Sequence, residues 1–383
     1  MNRALNGQRF SWQRLRAMMF KEFIQMRRDR LTFAMMVGIP MMQLILFGFA
    51  INSDPRNLPT AVFDRDHGPF GRALVAHMVA SGYFRVVEEI QEDAQIEAGL
   101  ALGRVQFVVS IPEGFSREVA RGRRPELLIE ADATDPAATS NALGTVSVLA
   151  WHALDRELRG PLAGLRSGPP PFELKMHRRY NQEGITQYNV VPGLMGVVLT
   201  MTMVIMTALA VTRERERGTM ESLLVTPLRP IEVMLGKIFP YVVVGYIQMT
   251  LILVAARVIF GVPVVGNIGV LMVASVVFIM ANLAVGFTFS TLARNQLQAM
   301  QMGFFYFLPN ILLSGFMFPF RGMPEWAQRV GELLPLTHFL RIVRGVMLKG
   351  NGPEEILGEV GALGVFMLVV SVVALKRYRQ TLD

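Results

Sequence analysis

A polytopic α-helical membrane protein, with an α/β domain inserted between its first and second spans, is the fold class this sequence predicts. Three observations predict it. The 383 residues are 52% hydrophobic and only 18% charged, whereas an ordinary soluble chain is about a quarter charged. The apolar residues come in blocks of about 20, the length that crosses a hydrocarbon core as a helix. One long hydrophilic stretch, residues 52–188, alternates strand-like and helix-like patterns.

Residues 1–30 are expected to form a cytoplasmic amphipathic helix. Trp12, Leu15, Met19, Phe23 and Met26 share one helical face, while Arg14, Arg16, Lys21 and Arg28 fall largely elsewhere. Such a helix lies in the membrane interface, although basic flanks alone would also orient a following span. Leu31–Ile51 is the first span. It reads as a membrane helix and not as a signal peptide, because its charged leader and apolar core are both too long.

In residues 52–188 strands are expected at PTAVFD, FRVVEEI, VQFVVSIP and ELLIEAD, with helices at FGRALVAHMVA, EDAQIEAGLALG and EGFSREVA between them. Asp135-Pro136 opens a longer helix through Leu154. Alternating elements of this kind pack as a small α/β domain. RGPLAGLRSGPPPFE then reads as a linker back to the membrane. His67, His77, His152 and His177 are scattered without metal-ligand spacing, and no G-x-S-x-G elbow is present. With no cysteine in the chain, thiol chemistry and disulfides are excluded.

Spans two to six are expected at Asn189–Val211, Ile238–Phe260, Ile268–Leu292, Ala299–Phe320 and Leu357–Leu375, within residues 189–375, followed by a cytoplasmic tail over 376–383. Lys and Arg number eight in residues 1–30, five in 212–237, one in 293–298 and three in 376–383, against none in 261–267. Positive charge stays inside, so both termini are expected in the cytoplasm and the α/β domain outside it. Five further cations in 321–357 break the pattern. Their segment reads as amphipathic helices at the outer interface, over 321–350. The basic surplus follows membrane boundaries, which argues against a nucleic-acid partner.

Inside the spans the only carboxylate is Glu359, and Arg257 stands near a span end. A carrier driven by an ion gradient ordinarily needs a mid-membrane carboxylate to bind and release the ion. Filter-like sequences are missing too. The 25 methionines suit either an adaptable apolar lining or ordinary helix packing.

VTRERERGTMESLLVTPLRP, from Val211 to Pro230, falls between two spans on the cytoplasmic side. Arg213, Arg215 and Arg217 interleave with Glu214 and Glu216, so the local charge nearly cancels; this suits docking into a protein groove better than binding anionic lipid. Gly218 loosens the helix, Thr219, Glu221 and Ser222 precede the apolar Leu223-Leu224-Val225, and Thr226-Pro227 ends it. A solvated loop is the plainer reading of the same charges.

RERERGTMESLLVTPLRPIEVMLGK resembles the cytoplasmic signature of ABC-2-type transporter permeases, the membrane subunits of bacterial ABC exporters. LLSGFMFPFRGMPEWAQRVGELLPLTHFLRIVRGVMLKG, Leu312 to Gly350, resembles that family's outer segment, and FKEFIQMRRDR, Phe20 to Arg30, its amphipathic leading helix. The likeness extends over almost the whole chain, and the large domain after the first span resembles the multidrug- or lipid-exporter branch. It implies that 212–226 is a coupling helix, with Arg213, Glu214, Arg215, Glu216, Gly218, Thr219 and Glu221 seated on a separate ABC ATPase dimer that binds ATP and Mg. It implies that Lys21, Glu22 and Arg28 also touch the ATPase. Gly315, Pro319, Pro324 and Pro335 would shape short outer helices. No G-x-x-x-x-G-K-[ST] occurs in this chain, so nucleotide is expected on the partner and no cofactor here. A second copy or a homologous permease would complete the path, and a periplasmic adaptor is a further expected partner. The function implied is export of an amphipathic drug, lipid or related substrate across a bacterial inner membrane. A membrane-anchored sensor or scaffold, its extracytoplasmic domain binding an envelope partner, is the alternative.

Overall fold

The computed structural model describes residues 55–216 and 230–377. The expected leading helix and the first span lie outside the described residues, as do Gly218, Thr219 and Glu221.

The hydrophilic region folds as a five-stranded sheet with helices on both faces. Its strands are β1 (Leu58–Asp64), β2 (Phe84–Glu89), β3 (Phe107–Ile111), β4 (Glu126–Asp132) and β5 (Glu173–Arg179), in the spatial order β2-β1-β3-β4-β5. β1 pairs in parallel with both β2 and β3, β3 with β4 antiparallel, and β4 with β5 parallel. Between them run α1 (Pro69–Ala80), α2 (Asp93–Ala101), α3 (Phe115–Ala120) and α4 (Pro136–His152). The chain steps one way from β1 to β2, then back past β1 to β3. Right-handed crossovers taken in opposite directions put their helices on opposite faces. Accordingly Leu74 and Met78 of α1 join Phe107, Phe115 and Val146 in the main core, whereas Ile96 and Leu100 of α2 pack with Ala61, Phe63 and Val108 on the reverse side.

β5 follows the expected linker, sharing only Glu173 with it, in a stretch to which sequence assigned no element. Its seven residues, ELKMHRR, bury none of their side chains fully. A polar edge strand of this kind carries no alternation for a pattern to detect. Asp135 caps α4 by accepting hydrogen bonds from the Ala137 and Ala138 amides at 3.2 and 3.4 Å, with Pro136 in the first turn.

Helices α5 (Thr186–Glu216), α6 (Pro230–Val258), α7 (Ile268–Leu292), α8 (Gln296–Leu313) and α11 (Pro353–Arg377) form the apolar bundle, with α9 (Glu325–Gly331) and α10 (Pro335–Arg344) between α8 and α11. Four of these are long and apolar enough to cross a membrane: Thr186–Ala210, Pro240–Val258, Ile268–Leu292 and Pro353–Arg377. α8 is not among them. The span expected over Ala299–Phe320 stops at Leu313, where Ser314 closes the helix and Gly315 turns the chain at a φ of +83°. Only glycine adopts that backbone freely. Phe316, Met317 and Phe318 keep the sequence apolar through the turn, so hydropathy alone runs past it.

α7 is the central helix. Its Gly286 lets α5 approach so closely that a Cβ there would lie 2.5 Å from the Val204 carbonyl oxygen. By contrast, only 11% of the most apolar window of α11 and 22% of that of α6 is buried within the chain. Those faces are left for lipid or another apolar surface to cover.

Candidate functional site

Two ends of the bundle carry the residues singled out by sequence. At one end α5 continues past its apolar part through Arg213, Glu214 and Arg215 to Glu216. Arg213 and Glu216 are exposed. Glu216 accepts a 2.7 Å hydrogen bond from the Gln296 backbone amide and a second from its side-chain Nε2. These bonds favour the ionised carboxylate and hold its pKa below the ordinary value. Gln296 is the first residue of α8. The last turn of α5 and the first turn of α8 are therefore clipped together next to the segment that begins at Arg217.

At the other end the segment from Gly315 to Gly350 folds back between the bundle and the α/β domain. Pro319 precedes a 3-10 turn over Phe320–Gly322 and Pro324 precedes α9. Pro335 opens α10, its ring fixing φ near the helical value while Leu334 before it stays extended. Leu336, Phe339, Leu340, Ile342 and Val343 of α10 are buried. Phe339 stacks on Phe278 of α7 with ring centroids 3.9 Å apart.

The polar groups of this segment form a connected set that no local pattern announced. His338 places Nδ1 2.5 Å from Glu359 and Nε2 2.8 Å from the Glu332 carbonyl. Both partners are acceptors, so both ring nitrogens must donate, and the ring is positively charged when Glu359 is ionised. Burial opposes that charge, but the bonds to Glu359 and the Glu332 carbonyl, with the attraction of Glu359, outweigh it and raise the histidine pKa. Arg341 reaches Glu332 at 2.5 Å and Glu359 at 3.2 Å. The charges of His338 and Arg341 are thus balanced by those of Glu332 and Glu359.

A second set joins the segment to the sheet. Lys349 and Asp132 form an ion pair at 2.5 Å with side chains only 9% and 10% exposed. Lys349 Nζ also donates to the Leu100 carbonyl at 2.9 Å, and Asn351 donates to the Ala101 carbonyl at 3.1 Å. Asp132 is further held by the backbone and hydroxyl of Thr134. Beside this pair is a cavity of about 250 Å³ that Asp135, Gly315 and Arg344 help to line. Arg344 donates one bond, to the Gly315 carbonyl at 3.1 Å, while its Nε and Nη2 have no protein partner. Burial lowers the Arg344 pKa against the pull of Asp135 and Asp132. Burial likewise raises that of Asp135, partly offset by Arg344 and the capping amides. Tyr180 is pushed up to about 12 by burial and by the nearby Asp132.

Of the five cations that break the charge asymmetry, Arg329, Arg341 and Lys349 are held by Glu325, by Glu332 with Glu359, and by Asp132. Among the described residues no three His, Asp or Glu side chains lie close enough to hold a metal ion. The geometry at the two ends is one of helices fixed to each other and to the α/β domain.

Comparison with known proteins accounts for such a design. Residues 30–376 match the family described as ABC-2 family transporter protein. The chain belongs to that family. Among similar ABC-2 permeases, the probable multidrug ABC transporter permease YbhS of Escherichia coli is 29% identical over 368 residues, 95% of this chain and 94% of its own. The probable multidrug ABC transporter permease YbhR of Escherichia coli is 26% identical over 369 residues, 96% of this chain and 99% of its own. The inner membrane transport permease YhhJ of the same organism is 29% identical over 359 residues, 89% and 93% of the two chains. This ABC-2 permease is therefore the membrane component of an ABC transporter. Sequence had singled out Glu216 and the four turn-forming positions among these residues, but not Gln296, His338, Lys349 and Asp132, whose partners are distant along the chain.

Proposed function

We propose that this chain is the permease subunit of an ATP-binding-cassette exporter, moving an amphipathic drug, lipid or related substrate across a bacterial inner membrane. ATP and Mg bind a separate ATPase dimer. A second copy or a homologous permease completes the path, both termini are cytoplasmic, and the α/β domain stands in the periplasm, where an adaptor has access to it. The observation that carries this reading is the two-ended arrangement in a member of the ABC-2 family. Glu216 and Gln296 clip two helices at one end, and the α/β domain is pinned to the helices at the other. That YbhS and YbhR are probable multidrug permeases supports the substrate class.

In this mechanism the ATPase pair closes on nucleotide, pushes on the coupling segment expected over 212–226, and the clip passes the push into α5 and α8 together. The membrane helices then exchange between two packings whose populations the ATPase sets. Purification from native membranes in mild detergent tests it. A stoichiometric partner carrying a Walker motif, with transport lost on Glu216→Ala or Glu221→Ala while the chain still inserts, is the expected result. Elution without any ATPase in several mild detergents would refute it and favour the scaffold reading.

A further inference from the structure

A cleft of about 1070 Å³ opens between the β1–β2 edge of the sheet and the turn that carries α9. Arg56 and Arg85 line it from the sheet side, and Arg321 and Arg329 from the other. The two carboxylates in its lining are already engaged, Glu325 by Arg329 at 3.3 Å and Glu332 by Arg341 at 2.5 Å. Arg85 and Arg321 have no carboxylate within ion-pair distance among the described residues, and both are exposed. Burial and the neighbouring Arg341 and Arg85 charges lower the Arg321 pKa, against Glu332. Arg85 and Arg321 thus face the cleft as like charges, with no ion pair to either of them among the described residues.

The wall formed by α9 tells what kind of anion this is. Glu325, Gln328, Arg329 and Glu332 face the cleft. Trp326, Val330 and Leu333 are spaced at i, i+4 and i+7, which is the adjoining face of the same helix and its following turn. They are 43%, 40% and 72% exposed. A short segment that brings Arg321 and Arg329 to the cleft and leaves Trp326 and Leu333 uncovered beside it suits the boundary between hydrocarbon and headgroups. Planar guanidinium groups match two phosphate oxygens at once, which one ammonium does not.

We propose that this cleft binds the phosphate headgroup of an anionic membrane lipid, with Arg85 and Arg321 on the phosphate and Trp326 and Leu333 against the acyl region. The site belongs to the membrane face on which the α/β domain stands. It requires neither an ATPase nor transport, so it is independent of the exporter reading.

The test uses the purified full-length chain in neutral detergent. Phosphatidylglycerol, phosphatidylcholine and soluble glycerol phosphate are added separately, with bound lipid counted by native mass spectrometry and affinity read by titration. Preferential retention of phosphatidylglycerol, weakened about tenfold in Arg85→Gln/Arg321→Gln, is expected from the loss of charge-assisted bonds. Arg85→Lys/Arg321→Lys keeps the charge and should retain part of the binding. Both positions are exposed, and an unchanged elution volume and thermal midpoint establish that the variants fold. Binding of phosphatidylglycerol without glycerol phosphate supports the lipid assignment in full. Equal affinity for both overturns it in favour of a free phosphate site. Equal retention of phosphatidylcholine, or unchanged phosphatidylglycerol binding in the glutamine variant, overturns the site altogether.

Discussion

Replacing Lys349 by methionine, a side chain of similar length without charge, isolates the link between the α/β domain and the helices. Lys349 Nζ is 2.5 Å from Asp132 and 2.9 Å from the Leu100 carbonyl, and the two paired side chains are about nine-tenths buried. At that distance the attraction is about 7 kcal/mol for an effective dielectric constant of about 20, and most of it is offset by the cost of removing both ions from water. The variant keeps that cost for Asp132 while losing the attraction, so the expected destabilisation is about 3–5 kcal/mol. Adding Asp132→Asn removes the stranded charge and should restore about 2 kcal/mol, leaving the Thr134 contacts partly in place. The assay is the guanidinium midpoint of the purified chain in detergent, read by tryptophan fluorescence, for wild type, both single variants and the double. A loss below about 1 kcal/mol, the range of exposed pairs, would refute the reasoning. So would strictly additive single effects, which would mean that Lys349 and Asp132 do not act on each other.

Three more outcomes follow from the geometry. His338 has a raised pKa, so the stability it contributes is complete below the ordinary value of about 6.5 and is lost as pH rises through its folded value. His338→Gln should flatten that part of the pH profile of the thermal midpoint, and an unaltered profile would contradict the paired ring. Gly286→Val should separate α5 from α7, because its Cβ meets the Val204 carbonyl oxygen at 2.5 Å; the expected cost is about 1–3 kcal/mol, seen as a lower thermal midpoint. Gln296→Ala removes only the side-chain half of the clip to Glu216. Its transport defect should be milder than that of Glu216→Ala, with thermal midpoints of both near wild type because the pair is exposed.

The strands of the α/β domain were legible wherever both sheet faces are buried. β1, β3 and β4 are runs of Val, Ile, Leu and Phe that must leave water on either side. β5 was not legible, since Lys175, His177 and Arg178 give an edge strand the composition of a loop. Apolar length located the four membrane-length helices but not the turn at Gly315, where the composition does not change and only the backbone does. The candidate site divided in the same way. Glu216 stood out in a charge run, and the prolines of the 315–350 segment stood out as turn residues. Lys349 and Asp132 are 217 positions apart, and His338 and Glu359 are on different helices; a tertiary pairing leaves no trace in local sequence. Arg341 and Lys349 looked like misplaced positive charge because Glu359 and Asp132, which pair with them, come from other elements of the fold.

α5 has a consequence of another sort. It is one uninterrupted helix of 31 residues from Thr186 to Glu216, about 46 Å of rod at 1.5 Å per residue. It starts a few residues after β5 ends, and Pro192 in its second turn withholds one backbone hydrogen bond there. A rod weakened near one end and clipped to a neighbour at the other is a lever with its pivot beside the sheet. Tilting it by about 5° would sweep the Glu216 end through about 4 Å, roughly three-quarters of the rise of one helical turn. Small angular changes at the domain and ångström-scale displacements at the opposite face are in this way the same motion, read at two radii.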